Sequence, residues 1–420
     1  MKVIIVGGGI SGLSQALSLH QVGIACRVYE AVPVLEPLGY GINLQPNAVR
    51  ELFALGLGEK LTAAGILTQE LAYYNKHGQL IWREVRGEAA GYRWPQISIS
   101  RAELHKIILG AINERLGASA ILTARRLNGF EKRGEKVIAR FVDASGKPAD
   151  EAEGDILIGA DGIHSAVRAQ LYPGERAVSD GYLHYRGIVE AKPYLTGASM
   201  AVIGHGHHRA IVYPIMQGQG GDVINWLAYT KIPAGAPPLE AWDAKADKND
   251  CIAQFEGWSF PWLDVHGLFQ ATEDARVLQL PNIDRNPVPR WSFGRVTLIG
   301  DAAHPMQPMG AQAGSQAIVD GRVLTAALMA HRDPIDALES YQNERIAAMN
   351  DLVIRNRSLG PEAILRIAEE RAPDGFTDIH DVLSRQELED TAARFKLAAG
   401  LDVETVNRQR SLVEIPELQW

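Results

Sequence analysis

Within the first twelve residues an apolar β-branched run, Val3-Ile4-Ile5-Val6, meets Gly7-Gly8-Gly9-Ile10-Ser11-Gly12. Leu13, Ala16 and Leu17 then recur at helical spacing toward Val22, so the segment reads strand, glycine turn, helix. Gly7 permits the tight turn, Gly9 lets the backbone approach a pyrophosphate with no Cβ in the way, and Gly12 lets helix and strand pack closely. Ile10 and Ser11 open the helix, whose free N–H groups and partial positive charge suit phosphates. A second apolar segment, residues 25–29, ends at Glu30, where a carboxylate can accept hydrogen bonds from a ribose diol. Glycine turns are common; strand, helix and distal acid in this order are what predict dinucleotide binding.

At 420 residues and 46% hydrophobic the chain outgrows one efficient core, so two intimately packed domains are expected. There is no uncharged apolar run of ~18 residues, and Met1-Lys2 leads straight into the first strand, leaving no room for a signal peptide. The expected location is cytoplasmic, without membrane association. A net charge of −8 with no basic run argues against nucleic acid as a partner. Cys26 and Cys251 have neither metal-ligand spacing nor the numbers for a disulfide framework, and read as small buried hydrophobes. His205, His207 and His208 lack carboxylate or cysteine partners at metal spacing and read as an exposed turn between strands, so no metal site is expected.

Two further Gly/Asp motifs follow, Gly159-Ala160-Asp161-Gly162 after an apolar strand and Gly300-Asp301-Ala302-Ala303-His304-Pro305 after another. Between them and the first motif the pattern alternates strand and helix. Pro46 suits the first turn of a helix after residues 42–45, and Arg101 opens a helix for which Ser100 is a natural N-cap. Residues 120–142 suggest a hairpin or meander. From Gly181 to Thr230 the chain turns to aromatic and β-branched strands (182–189, 210–214, 223–229), an inserted sheet of the kind that forms a substrate wall. Residues 232–238 read as a surface loop, residues 314–330 as a long helix, and residues 334–420 as mostly helical and polar. The expected fold is α/β: a Rossmann-like domain of residues 1–70, 101–178 and 276–355, a mixed β-sheet domain of 71–100 and 179–275, and a helical C-terminal segment of 356–420.

The order GxGxxG with Glu30, an arginine opening a helix at 101, Gly-Ala-Asp-Gly-Ile-His-Ser-Ala-Val-Arg over 159–168 and Gly-Asp-Ala-Ala-His-Pro over 300–305 resembles the class A flavoprotein aromatic monooxygenases, the para-hydroxybenzoate and salicylate hydroxylase family. The resemblance covers about residues 1–355. Residues 37–46, 159–168, 308–311 and 315–318 look closest to the phenazine-modifying branch, the 5-methylphenazine-1-carboxylate 1-monooxygenases. The resemblance implies FAD as cofactor. Gly7, Gly9, Ile10, Ser11 and Gly12 would hold its pyrophosphate with Arg101 forked onto the same oxygens, and Glu30 the ribose. Gly41, Ile42 and Leu127 are further cofactor contacts that it implies. Asp161 and Gly162 would support the middle of the cofactor and nicotinamide access, with Arg168 holding that loop. Asp301 would bond ribityl or ribose hydroxyls. Pro308, Gly310, Ala311, Gln312, Ala313 and Gly314 would run along the isoalloxazine edge, where a helix N-terminus stabilises the negative charge of reduced flavin. The family usually has Gly-Gln-Gly where this chain has Ala311-Gln312-Ala313, which predicts a stiffer loop.

The implied reaction uses NADH or NADPH to reduce the flavin and O₂ to form a C4a-hydroperoxide that an electron-rich aromatic or heteroaromatic ring attacks. No second GxGxxG is present, so the donor would bind transiently over the flavin. Substrate-pocket candidates are Tyr185, Arg186, Tyr213, Asn225 and Trp226 on the inserted sheet, with Leu44 and Gln45 opposite; alternate strand residues share a face, so only some can point inward. No side chain is assigned a catalytic role. His304 lies in a buried turn, where a histidine more often satisfies backbone groups than moves protons, and His164 reads as similarly structural. Baeyer–Villiger oxygenation, epoxidation, oxygen-independent reduction or a redox protein without turnover are the alternatives, and the halogenases' Trp-x-Trp-x-Ile-Pro is absent. Either a monomer or a homodimer is compatible with the sequence.

Overall fold

Lys2–Val6 lies at the centre of a five-stranded parallel sheet in the computed structural model, which describes residues 1–36, 39–232, 244–245, 247–358 and 360–414. The sheet order is Val296–Leu298, Ile156–Gly159, Lys2–Val6, Ala25–Tyr29, Ile121–Leu122. Apart from Lys2, strands Val296–Leu298, Ile156–Gly159 and Lys2–Val6 are buried throughout, as a parallel sheet covered on both faces requires. Helix Ile10–Gln21 packs between helices Ala313–Ala330 and Arg101–Arg115, and its buried Gln15 and Ser18 both donate to the Thr325 hydroxyl. The meander expected over 120–142 is present as the antiparallel strands Arg126–Arg133, Lys136–Val142 and Pro148–Gly154. Ser100 does precede the Arg101–Arg115 helix, but its hydroxyl does not cap it; it donates to Gly39 O at 3.2 Å.

The inserted block is larger than the sequence suggested. Eight strands form one sheet in the order Ala244–Lys245, Val277–Arg285, Ala177–Ala191, Asp222–Lys231, Arg209–Gln217, Ser199–Gly204, Glu70–Tyr74, Leu80–Val85. All pairs are antiparallel except Ser199–Gly204 beside Glu70–Tyr74. Val277–Arg285 pairs with Ala177–Ala191, so residues 277–285 belong to this sheet, whereas the boundary at 276 had put them in the first domain. Ile97–Ser100 instead pairs with Gly41–Leu44 and Ile66–Leu67 in a separate small sheet, although 71–100 was assigned to the substrate wall. The remainder of the chain is helical, with Ala363–Arg371, Arg385–Ala398 and Val403–Arg408. Residues 233–238 of the expected surface loop lie outside the described residues. Among the described residues no helix is long and apolar enough to cross a membrane.

Register sorts the large sheet into two faces. Arg186, Leu227 and Ile211 are cross-strand neighbours, and so are His184, Tyr229 and Arg209. Trp226, opposite Gly187 and Val212, points the other way. Its indole lies over Gly187, where a Cβ would come within 2.3 Å of the ring, and its Nε1 donates to Thr272 Oγ1 at 2.8 Å. Tyr185 shares that face, where its hydroxyl accepts from Gln279 Nε2 at 2.9 Å. Trp226 is fully buried beside Phe269 of helix Val265–Ala271, so it is a core residue. Trp226→Ala should cost about 3–5 kcal/mol in equilibrium denaturation; a loss under ~1 kcal/mol would contradict this packing role.

Candidate active site

A single cavity of about 710 Å³ runs from the glycine turn, past the ends of the parallel strands, to the face of the large sheet that carries Tyr213, Leu227 and Tyr229. Of the residues expected at the cofactor, Gly7, Gly9, Ile10, Ser11, Glu30, Gly41, Ile42, Arg101, Leu127, Asp161, Gly162, Asp301, Pro308, Ala311, Gln312, Ala313 and Gly314 line it. Gly12, Arg168 and Gly310 do not. Of the expected substrate residues only Arg186 and Tyr213 are on its wall. Tyr185 and Trp226 are on the opposite face of the sheet, Leu44 is in the main core, and Gln45 is buried with its N–H donating to Ser315 Oγ at 2.9 Å. Asn225 also misses the wall; its Oδ1 accepts from Gly41 N at 2.7 Å.

The first motif is built by close backbone contact. Gly7 has φ +107°, and a Cβ there would be 2.4 Å from Ala160 O; one on Gly12 would be 2.0 Å from Gly7 O. Gly9 is different, because a Cβ on it would meet nothing within 4 Å. Its open side and the N–H groups at the start of helix Ile10–Gln21 leave the approach that a pyrophosphate needs. The Glu30 carboxylate accepts from Gly8 N at 2.6 Å and Val32 N at 2.9 Å, which fixes it at the cavity rim with lone pairs left for a diol. His105, which the sequence did not single out, donates from Nε2 to Gly8 O at 2.9 Å.

In the second motif the Asp161 carboxylate is turned to its own chain. It accepts from Ser165 Oγ at 2.5 Å and from Ala166 N at 2.7 Å and Val167 N at 3.2 Å, at the start of helix Ala166–Leu171. Burial raises its pKa against the pull of these donors. Arg168 does not hold the 161–162 loop as expected. Buried, it donates from Nη1 to Ala302 O and Ala303 O at 3.1 and 2.6 Å and pairs with Glu175 at 2.6 Å, fastening the second motif to the third. The carbonyls it grips at 302 and 303 are far away in sequence, which is why the motif alone misassigned it.

Asp301 sits in the turn Gly300–Ala302, just past strand Val296–Leu298, and faces the cavity with Arg101. Enclosure lowers the Arg101 pKa while the charge of Asp301 opposes that shift. Behind the turn, Asp320 accepts from Gly300 N at 2.9 Å, lies 2.5 Å from His304 Nε2 and pairs with Arg345 at 2.8 Å. Burial pushes the Asp320 pKa up, but His304 and Arg345 outweigh it and the net shift is downward. His304 is therefore off the cavity wall, its ring tilted against Trp291 and part of a structural cluster.

The turn beyond it carries the strain. Gly310 has φ +67°, and a Cβ on it would be 2.1 Å from Phe395 Cζ of helix Arg385–Ala398, so this glycine answers to the C-terminal segment. Ala311 has φ +53°, a left-handed conformation that costs a non-glycine residue about 1–2 kcal/mol. Ala313 begins helix Ala313–Ala330 and Gly314 passes close to Ile42, where a Cβ would come within 2.5 Å of Cδ1. On the far wall Arg186 Nη2 donates to Gly41 O at 2.9 Å, and Met200, Ile211, Leu227, Tyr229, Leu280 and His184, none of them foreseen, complete the surface. Their contribution was hidden because it depends on which strand face turns inward. The residues at positions 205–208 form the turn between two strands of this sheet, half-buried rather than exposed except for His207, and burial brings His205 down to about 4.

Burial brings His184 down to about 3, with Arg186 and Arg209 adding to the effect. The folded protein thus holds this imidazole neutral where the unfolded chain, at about 6.5, binds a proton. Its contribution to stability is present above about pH 6.5 and is lost as pH falls toward 3, by up to about 1.4 kcal/mol per pH unit. His184→Gln should flatten the acid limb of a stability profile between pH 6.5 and 5; an unchanged slope would contradict the assignment. Ala311→Gly should raise stability by about 0.5–1 kcal/mol by removing the strain, and a loss on denaturation would show that the turn is relaxed. Asp301→Ala should purify colourless or weakly yellow, whereas full retention of FAD at unchanged affinity would refute its place at the cofactor.

Comparison with known proteins agrees with this geometry. Residues 1–356 match the family model described as an FAD binding domain. The phenazine 1,6-dicarboxylic acid hydroxylase PhzS of Lysobacter antibioticus is 40% identical over 364 residues, spanning 84% of this chain and 89% of that protein. The 3-hydroxybenzoate 6-hydroxylase of Polaromonas naphthalenivorans is 31% identical over 376 residues, 86% of this chain and 87% of its own. Among solved structures, Klebsiella pneumoniae HpxO complexed with FAD and uric acid superposes with a TM-score of 0.76 at 28% identity, covering 97% of this chain and 96% of that one. The chain belongs to the FAD-binding domain family and, within it, to the class A FAD-dependent aromatic monooxygenases.

Proposed function

We infer that the protein hydroxylates a flat aromatic or heteroaromatic small molecule, with FAD as cofactor, NADH or NADPH as electron donor and O₂ as the oxygen source. The observation that carries this reading is the continuity of one cavity from the glycine turn, Arg101 and Asp301 to the aromatic and aliphatic face of the large sheet. The residues fit FAD: Gly9 leaves open space beside a helix N-terminus, Ser11 Oγ is buried without a hydrogen-bond partner among the described residues, and Asp301 and Arg101 face the same space. When bound, FAD supplies hydride acceptance and oxygen activation, chemistry that no amino-acid side chain offers.

What the chain contributes is binding, orientation and exclusion of water. Helix Ile10–Gln21 would present N–H groups to the pyrophosphate, Arg101 would add a guanidinium, and Asp301 would accept from ribityl hydroxyls. The N–H groups at the start of helix Ala313–Ala330, beside the 308–314 turn, would favour negative charge on a flavin ring held there. Met200, Ile211, Tyr213 and Leu227 give the substrate a largely apolar wall, which orients a planar ring and keeps water from the reacting carbon. Relatives named for phenazine 1,6-dicarboxylic acid, 3-amino-4-hydroxybenzoate and 3-hydroxybenzoate support a ring carrying polar substituents. The cytoplasm, with its nicotinamide pool, is the setting this reading assigns, for a monomer or homodimer.

A panel of phenols, anthranilates, phenazines and quinolones tests this. In stopped-flow experiments the holoenzyme should oxidise NADH or NADPH rapidly only with a bound aromatic, and the product should be heavier by one oxygen atom. Fast reduction without any aromatic would contradict substrate-gated hydroxylation, and NAD(P)H consumption without oxygen incorporation would favour a reductase.

A further inference from the structure

One corner of the cavity wall holds a buried phenol hydroxyl that has no hydrogen-bond partner among the described residues. His184, Tyr229 and Arg209 are register partners across strands Ala177–Ala191, Asp222–Lys231 and Arg209–Gln217, so they form one row on the inward face. Tyr229 and His184 both line the cavity, at 0% and 6% exposure. The Tyr229 hydroxyl has no hydrogen-bond partner among the described residues, while His184 has the Asn282 side chain as a hydrogen-bonding neighbour. Buried polar atoms are nearly always paired, so an orphaned hydroxyl on a cavity wall indicates a ligand group that pairs it.

The row is held firmly from behind. The Arg209 guanidinium lies 4.3 Å above the Tyr229 ring, its Nε is 2.8 Å from Glu362 Oε2, and its Nη2 reaches Met309 Sδ at 3.4 Å. Arg209 and Glu362 are both buried, which leaves the phenol ring little freedom. His184 stands edge-on to the same ring with centroids 5.6 Å apart. Around the pair the wall carries Leu227, Ile211 and Leu280, together with Arg186 and Asn282. Arg209 is paired with Glu362, so its charge is not free to meet a ligand, and the nearby Arg186 guanidinium on the same face donates to Gly41 O.

Taking the hydroxylase reading as its basis, we propose that Tyr229 and His184 are the specificity-determining anchor for a neutral hydrogen-bonding substituent on the aromatic substrate, a phenolic hydroxyl first among them. A tyrosine hydroxyl both donates and accepts, and a neutral imidazole nitrogen does one or the other, so the pair matches a group that does both. A ring lacking that group would leave the Tyr229 hydroxyl unsatisfied and bind more weakly.

Equilibrium binding to the FAD-loaded enzyme tests the anchor, with flavin absorbance and fluorescence followed during titration with two matched pairs: 3-hydroxybenzoate against benzoate, and 1-hydroxyphenazine against phenazine. Wild type should prefer the hydroxylated member of at least one pair by about tenfold. In Tyr229→Phe that preference should shrink to within about twofold while affinity for benzoate and phenazine holds, and His184→Leu should shrink it likewise should Tyr229→Phe fail to keep FAD. An equal preference in wild type and variants, or a uniform loss of affinity for all four ligands, overturns the anchor and leaves the hydroxylase reading standing. A flavin signal unmoved by every ligand in wild type overturns that reading and the anchor with it.

Discussion

Three backbones meet at the carboxyl ends of adjacent parallel strands, and the rest of the site depends on how closely they approach. A Cβ on Gly7 would sit 2.4 Å from Ala160 O, one on Gly12 would sit 2.0 Å from Gly7 O, and one on Gly159 would come within 2.8 Å of Leu298 and Val167. Only glycine allows that spacing, and it brings all three motifs to one crevice, the place where open α/β sheets bind ligands. Buried polar clusters then lock the arrangement. Arg168 grips the carbonyls of Ala302 and Ala303, and Asp320 gathers Gly300 N–H, His304 and Arg345. Each is expensive to break, because a single missing partner leaves buried charge unpaired.

The large sheet closes the crevice from the other side, and strand parity decides its chemistry. Inward positions supply Arg186, Tyr213, Leu227 and Tyr229, while outward ones supply Tyr185 and Trp226 to a separate core. Gly41 is the hinge of contact between the two halves. Asn225 receives its N–H, Arg186 donates to its carbonyl, and any side chain there would collide with Tyr213. The C-terminal segment enters at the same level through Phe395 against Gly310 and Glu362 against Arg209. The turn at 308–314 is therefore held by three parts of the chain, with Ala311 retained in a left-handed conformation that those contacts enforce.

Much of the cavity's glycine-turn side was legible because consecutive residues write its constraints. A strand, a glycine turn and a helix need only local sequence to be recognised, and Arg101, Asp301 and Glu30 fall at positions fixed by those local elements. The substrate side was legible as a sheet but not as a surface. A run such as residues 223–229 announces a strand, yet whether Trp226 or Leu227 turns inward depends on register with two distant strands. Arg168 was misread for the same reason, since its partners at 302 and 303 are brought near only by the fold. Val277–Arg285 escaped assignment because its apolar pattern is interrupted by Pro281 and Asn282, and pairing with Ala177–Ala191 overrides weak local preference.

A crystal structure of the holoenzyme with a bound aromatic ligand tests the shared cavity most directly. The account predicts an isoalloxazine edge along residues 308–314, Asp301 within hydrogen-bond reach of a ribityl hydroxyl, and the ligand ring against Tyr213 and Leu227. A ligand seated on the Trp226 face of the sheet, or a flavin ring away from the 308–314 turn, would contradict it.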